Sequence, residues 1–190
     1  MNQSELFLKH SKDIEAIGTQ VGKTVASLCR DRYFFNGVPD DQDEGSLEVA
    51  FSDSTFLTFS LASDGESVHA SIEPLYITEP FEIDEGAHCS WERIFLTNDR
   101  SWSKFKGSHL TAVDAVVDRW HKPSGHESIS GWVLRFDRGG FVSYWNCGDD
   151  AKIALNKLPP QFCGADTSIE TIAKPNKADA PDRKNLRGSS

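Results

Sequence analysis

The sequence predicts a mainly β fold, with α+β as the wider alternative, in which two tandem antiparallel meanders pack in one domain. Three observations carry that expectation. Residues 47–51 (LEVAF) and 56–61 (FLTFSL) alternate apolar with polar or small side chains around the turn Ser52-Asp53-Ser54-Thr55, the period-two pattern of a half-buried hairpin. Residues 132–136 (WVLRF) and 141–145 (FVSYW) repeat it around Asp137-Arg138-Gly139-Gly140, whose glycines supply the positive φ of a tight turn. The third is a constant offset: adding 85 carries Gly22 to Gly107, Val25 to Leu110, Val49 to Leu134, Phe51 to Phe136, Phe56 to Phe141, Phe59 to Tyr144 and Asp64 to Asp149 without a gap. Apolar positions and turns coincide more often than letters do, which reads as an internal repeat.

Taken in order, a short helix is expected over about residues 4–17. The first segment of each unit fits two periods. Val21, Val25 and Leu28, or Leu110, Val113, Val117 and Trp120, make a helical stripe, yet residues 29–35 (CRDRYFF) are aromatic-rich and suit a strand, so strands are favoured. Polar, turn-rich loops follow at 36–45 and 121–130, then the hairpins, then a short fourth strand centred on Val68 or Ile153. The units span about residues 20–72 and 107–157. Packed together, or merged in one curved sheet, they bury Leu47, Val49, Phe51, Leu57, Phe59 and Leu61 against Trp132, Leu134, Phe136, Val142 and Tyr144. The connector, residues 73–106, holds Trp91, Ile94, Phe95, Leu96, Trp102 and Phe105 and is expected to close the end of this core. Pro159 and Pro160 break regular structure, and residues 174–190, with one Leu and no Val, Ile or aromatic residue, are expected to form a disordered tail.

Composition excludes several classes of protein. A chain of 190 residues with 38% hydrophobic side chains buries a core without disulfides or a metal. Cys29, Cys89, Cys147 and Cys163 are widely spaced and form no C-x-x-C pair, which fits free thiols in a reducing compartment. A zinc site built from His88, Cys89, Cys147 and Cys163 finds little support in the spacing. The N-terminus lacks the apolar run of a secretory signal, and nothing approaches the roughly 18 consecutive apolar residues of a membrane span. A soluble cytoplasmic protein is expected.

Charge is distributed unevenly. The formal charge is −9, yet residues 33–92 hold fourteen carboxylates and neither Lys nor Arg. Such a face repels nucleic acid and anionic membranes and speeds encounter with a basic protein. The carboxylates expected to present this surface are Asp40, Asp41, Asp43, Glu44 and Glu48, with Glu79, Glu82, Asp84 and Glu85. Phe141 and Trp145, on the face of the second hairpin opposite Val142 and Tyr144, are expected as aromatic anchors beside them.

Catalytic motifs fail on inspection. Residues 18–24 (GTQVGKT) end like a phosphate-binding loop, but three residues rather than four separate the glycines and no buried strand precedes them. Asp41, Asp43 and Gly45 are out of register for a calcium loop. There is no G-x-S-x-G, H-E-x-x-H or G-x-G-x-x-G, and the six histidines are scattered, only His121 and His126 sharing a loop. No cofactor and no metal is expected.

The segments GKTVASLCRDRYFF, LEVAFSDSTFLTFSLASDGESV and GWVLRFDRGGFVSYWNCGDDAKI resemble, over about residues 20–156, small acidic bacterial proteins built from strand meanders, among them immunity proteins of polymorphic toxin systems. The resemblance implies a non-catalytic inhibitor that presents acidic groups to the basic cleft of a toxin; it transfers no functional residue. Two functions follow. One is an acidic binding protein that occludes a basic partner, its carboxylates speeding association and its aromatics slowing dissociation. The other is a ligand-binding or enzymatic β fold with a pocket between the two units.

Overall fold

A computed structural model describes residues 3–40, 44–121 and 125–174. Two short helices come first, α1 (Gln3–Lys9) and α2 (Ser11–Gly18). The strands are β1 (Val25–Phe35), β2 (Val38–Pro39), β3 (Leu47–Phe51), β4 (Phe56–Leu61), β5 (Val68–Ser71), β6 (Phe81–Asp84), β7 (Ala87–Phe95), β8 (Leu110–Trp120), β9 (Glu127–Phe136), β10 (Phe141–Asn146), β11 (Ala151–Leu155) and β12 (Ala165–Ala173). Every pairing is antiparallel. One sheet has the order β5-β4-β3-β1-β7-β6, with β2 folded back on β1, and the other β11-β10-β9-β8-β12. The mainly β class expected from the alternation is therefore what the chain adopts.

The hairpins stand where turn chemistry places them. Gly139 and Gly140 take φ of 80° and 89° between β9 and β10, a region in which a Cβ is strained. Between β3 and β4 the Asp53 carboxylate accepts from the Thr55 amide and hydroxyl at 3.2 and 2.6 Å. The inward faces then meet as expected. Leu47, Val49, Phe51, Leu57 and Phe59 share one buried cluster with Trp132, Leu134, Phe136, Val142 and Tyr144, and the Phe59 ring lies 6.3 Å from Trp132 and 6.1 Å from Tyr144. Each such side chain contributes roughly 1.5–3 kcal/mol on burial. Trp132 Nε1, inside this cluster, donates to the Val68 carbonyl at 3.3 Å, so its one polar atom is satisfied.

A β-bridge, Thr24 to His109, joins the sheets. Val25 N donates to Ser108 O at 2.8 Å, and Leu110 N donates to Lys23 O at 3.0 Å. Outward from this joint both sheets run through four strands in the same order, β1-β3-β4-β5 and β8-β9-β10-β11. β1 and β8 begin and end 85 positions apart, as do β4 and β10.

Four expectations are corrected. The N-terminal helix is two helices that break at His10, and α2 docks through Asp13, whose carboxylate accepts from the Ala70 amide at 3.0 Å. The connector does more than close the core: β7 pairs with β1 over seven residues, and its aromatics stack across strands, Trp91 on Tyr33 at 4.9 Å and on Phe81 at 5.8 Å. Regular structure resumes after the prolines as β12, paired with β8. Because β11 and β12 lie at opposite edges of their sheet, residues 156–164 cross it. Finally, Trp145 is buried rather than outward. Trp145 settles onto Gly131, where an added Cβ would come within 2.7 Å of the Trp145 Cβ. The tail expected at 174–190 lies outside the described residues beyond position 174, as do Asp41 and Asp43.

Candidate functional site

The acidic residues predicted from charge separate into two groups with different environments. Glu79, Glu82, Asp84 and Glu85 are exposed on and around β6, an edge strand that also leaves Phe81 and Ile83 half in solvent. Glu48 is not at the surface; it is 1% exposed. Its carboxylate accepts from Arg93 Nη1 at 2.6 Å, from the Leu75 amide at 2.7 Å and from the Cys29 thiol at 3.1 Å. Strand alternation assigns Glu48 to the outer face, but the segment through Leu75 folds back over that face. Arg93 Nη2 donates to Leu75 O at 2.6 Å and Thr58 Oγ1 to Glu73 O at 2.7 Å. Burial, then the hydrogen bond to Glu48, pushes the Cys29 thiol up to about 12. Glu44 is half-buried and ties the sheets together: its amide donates to Ala151 O at 3.0 Å and its carboxylate accepts from the Ile153 amide. Asp40 is half-buried beside Tyr33, to whose carbonyl its amide donates at 3.0 Å. Phe141 is half-buried under the Arg135 guanidinium, 5.6 Å above its ring, and Trp145 is 6% exposed, so these two do not form an exposed aromatic anchor.

What the structure brings together instead is a cavity of about 280 Å³ at the end of the second sheet, where the turn at Gly65 and Glu66 reaches it from the first. Asp118, Trp120, Ser130 and Asn146 line it from β8, β9 and β10, and Phe162 from the crossing segment. Three of these residues are buried, and each carries a polar atom without a partner among the described residues: Asp118 Oδ2, Ser130 Oγ and Asn146 Nδ2. Their other polar atoms are used. Asp118 Oδ1 accepts from Thr167 Oγ1, its cross-strand neighbour on β12, and Asn146 Oδ1 accepts from Gly148 N at 2.6 Å. Ser130 sits at a register shift between β8 and β9, between the pairs Val116–Gly131 and Val117–Ile129, a bulge of the kind that re-aims side chains.

Aromatic rings wall this cavity. Trp120 lies 6.4 Å from Phe162 and, nearly parallel, 6.2 Å from His126. His126 Nε2 in turn contacts Glu66 Oε2 at 2.5 Å. Each orphaned buried polar group costs about 1–3 kcal/mol, more when charged, so the three around this cavity are hydrogen-bonding capacity that the described residues do not fill.

A second cluster combines residues that sequence spacing left apart. His10 Nδ1 lies 2.8 Å from Asp13 Oδ2, and His69 Nδ1 lies 3.5 Å from Asp13 Oδ1. Burial alone raises the Asp13 pKa, but the His10 hydrogen bond, the Ala70 amide and the two imidazoles together hold it below the usual carboxylate value. His10 and Asp13 are three apart at the start of a helix, a signal legible in sequence; their meeting with His69 on β5 depends on how α2 docks.

No family model matches the chain, and neither the curated proteins nor the solved structures contain a significant match. Among the described residues, no helix is long and apolar enough to cross a membrane.

Proposed function

We propose that the protein is a non-catalytic binding protein that captures a cationic group, the ammonium or guanidinium of a small molecule or of a basic partner's side chain, in the cavity at Asp118. The observation that carries this reading is Asp118 Oδ2, a fully buried carboxylate oxygen with no partner among the described residues. A charged donor arriving from outside offsets the desolvation of that carboxylate better than a neutral one. The Trp120 and Phe162 rings supply faces for a cation, and Glu66 adds a second negative charge at the rim. A volume of about 280 Å³ suits one side-chain-sized group, below the range of drug-sized ligands. Binding is favoured over covalent chemistry because neither the Cys147 thiol nor the Ser130 hydroxyl of the lining has a base hydrogen-bonded to it among the described residues.

The exposed β6 edge supports a partner of protein size. Its carboxylates steer a basic surface inward, while Phe81 and Ile83 offer apolar contact. In the form implied by the likeness to immunity proteins, the partner is a toxin domain met in the cytoplasm, where the four unpaired thiols remain reduced.

Calorimetric titration of the full chain with n-butylammonium, methylguanidinium and the neutral analogues butanol and urea tests the site. Binding of a cation and not of its neutral analogue, abolished in Asp118→Asn, is expected; equal response to charged and neutral probes overturns the reading. Affinity capture at low salt distinguishes the sources, since a protein partner elutes with raised salt and is displaced by the small cation.

A further inference from the structure

We propose that His10, Asp13 and His69 form a binding site for one divalent transition-metal ion, Zn²⁺ by the chemistry of the donors. Two imidazoles and one carboxylate are the hard-to-borderline ligands that zinc accepts, and one ligand atom from each lies within 4.8 Å of the others. The 3.5 Å between His69 Nδ1 and Asp13 Oδ1 is too long for a good hydrogen bond. It matches the roughly 3.3–3.6 Å that separates two ligands on a tetrahedral ion with bonds of about 2.0–2.2 Å.

The site is also held in place. Asp13 is fixed by the Ala70 amide at 3.0 Å, and His10 is buried. Among the described residues His10 Nε2 makes no hydrogen bond, so metal ligation at this ring gives up only its contact to Asp13. His69, whose side chain is 58% exposed, is the ligand free to adjust. Asp13 and His69 border a groove of about 550 Å³ that Glu15 and Glu73 also line, which leaves the fourth position of the ion open. Three protein ligands and one open position are what distinguish a reactive or exchangeable zinc site from a closed structural one. Bound Zn²⁺ leaves the three-ligand set with one net positive charge, which the two groove carboxylates complement.

The test uses the full chain, dialysed against chelator and titrated with Zn²⁺ and, as a spectroscopic probe, Co²⁺. One equivalent of Zn²⁺ is expected to bind and to raise the thermal midpoint. Co²⁺ is expected to give the visible absorption of a four-coordinate nitrogen–oxygen site without thiolate charge transfer. His69→Ala and His69→Gln change an exposed residue and should leave the apo midpoint unchanged. Each should weaken Zn²⁺ binding by more than about 100-fold, since loss of even an outer-sphere partner costs 10–100-fold. Absence of binding at millimolar Zn²⁺, affinity unchanged in both variants, or a thiolate band that disappears in Cys147→Ser or Cys163→Ser overturns the proposal.

Discussion

Replacing Asp118 by Asn should make the empty protein more stable while removing its ligand. Asp118 is 0% exposed, and of its two oxygens only Oδ1, facing Thr167, has a partner among the described residues. Asn is isosteric, keeps an oxygen for Thr167, and exchanges an orphaned charge for an orphaned amide. An unpaired buried polar group costs about 1–3 kcal/mol and a charged one more, so the exchange should gain roughly 1–2 kcal/mol. In a chain of this size that raises the thermal midpoint by about 2–4 °C for each kcal/mol. Urea unfolding at pH 7, with the slope required to match the parent, measures the first half; titration with methylguanidinium measures the second. A variant less stable than its parent by more than about 1 kcal/mol would show that the carboxylate is satisfied by the protein and is part of the fold. One that still binds the cation with unchanged affinity would remove Asp118 from the site.

Glu48→Ala should lose about 3–5 kcal/mol by leaving the Leu75 amide without its acceptor and Arg93 without its counter-ion, whereas Glu82→Gln on exposed β6 should stay within about 0.5 kcal/mol; paired urea curves separate the two. Gly131→Ala should cost about 1–3 kcal/mol or more, because its Cβ would fall 2.5 Å from the Tyr144 carbonyl oxygen, and Trp145 fluorescence should report the displacement. With a colorimetric thiol reagent at pH 8, the exposed Cys147 and Cys163 should react in the native protein, while Cys29, buried and raised to about 12, and the buried Cys89 should react only in denaturant. Asp53 is held at about 2 by the Thr55 hydroxyl and by Lys23, then by the Thr55 amide. Its folded value lies below its unfolded one, so its contribution to stability is complete above about pH 4 and lost as pH falls through 2. Carbon-detected NMR titration should find that low midpoint, and Lys23→Ala should move it upward.

Hairpin positions were legible because period and turn chemistry are local. The β9–β10 turn falls at Asp137 to Gly140, as the glycines dictate, and the inward set from Leu47 to Tyr144 follows from alternation alone. Residues that face away from the partner sheet were misassigned for one physical reason. Alternation says which side a residue takes but not whether another segment covers that side. Glu48 lies under the Leu75 segment, and Trp145 is buried beside its cross-strand partner Gly131. The cavity was illegible for a related reason. Asp118, Ser130 and Asn146 are unremarkable polar residues in three strands, and what distinguishes them is the lack of partners, a property of the folded pairing. Strand β12 was hidden behind Pro159 and Pro160, since breakers forecast an end and not a resumption.

The joint at Thr24 and His109 pairs two residues 85 positions apart, the same offset that separates β1 from β8 and β4 from β10. At that offset Ser130 corresponds to Gly45, Asn146 to Leu61 and Glu66 to Ala151, and Gly45, Leu61 and Ala151 line a cavity of their own, of about 220 Å³. There the hydroxyl and the amide give way to glycine and leucine, and the neighbouring Glu44 carboxylate is already engaged by the Ile153 amide. The two cavities thus differ in chemistry: among the described residues the one at Asp118 keeps unanswered hydrogen-bonding groups, while the carboxylate beside the other is taken up by backbone. A ligand that enters only the first is selected by those groups more than by size, since the two volumes, about 280 and 220 Å³, are alike.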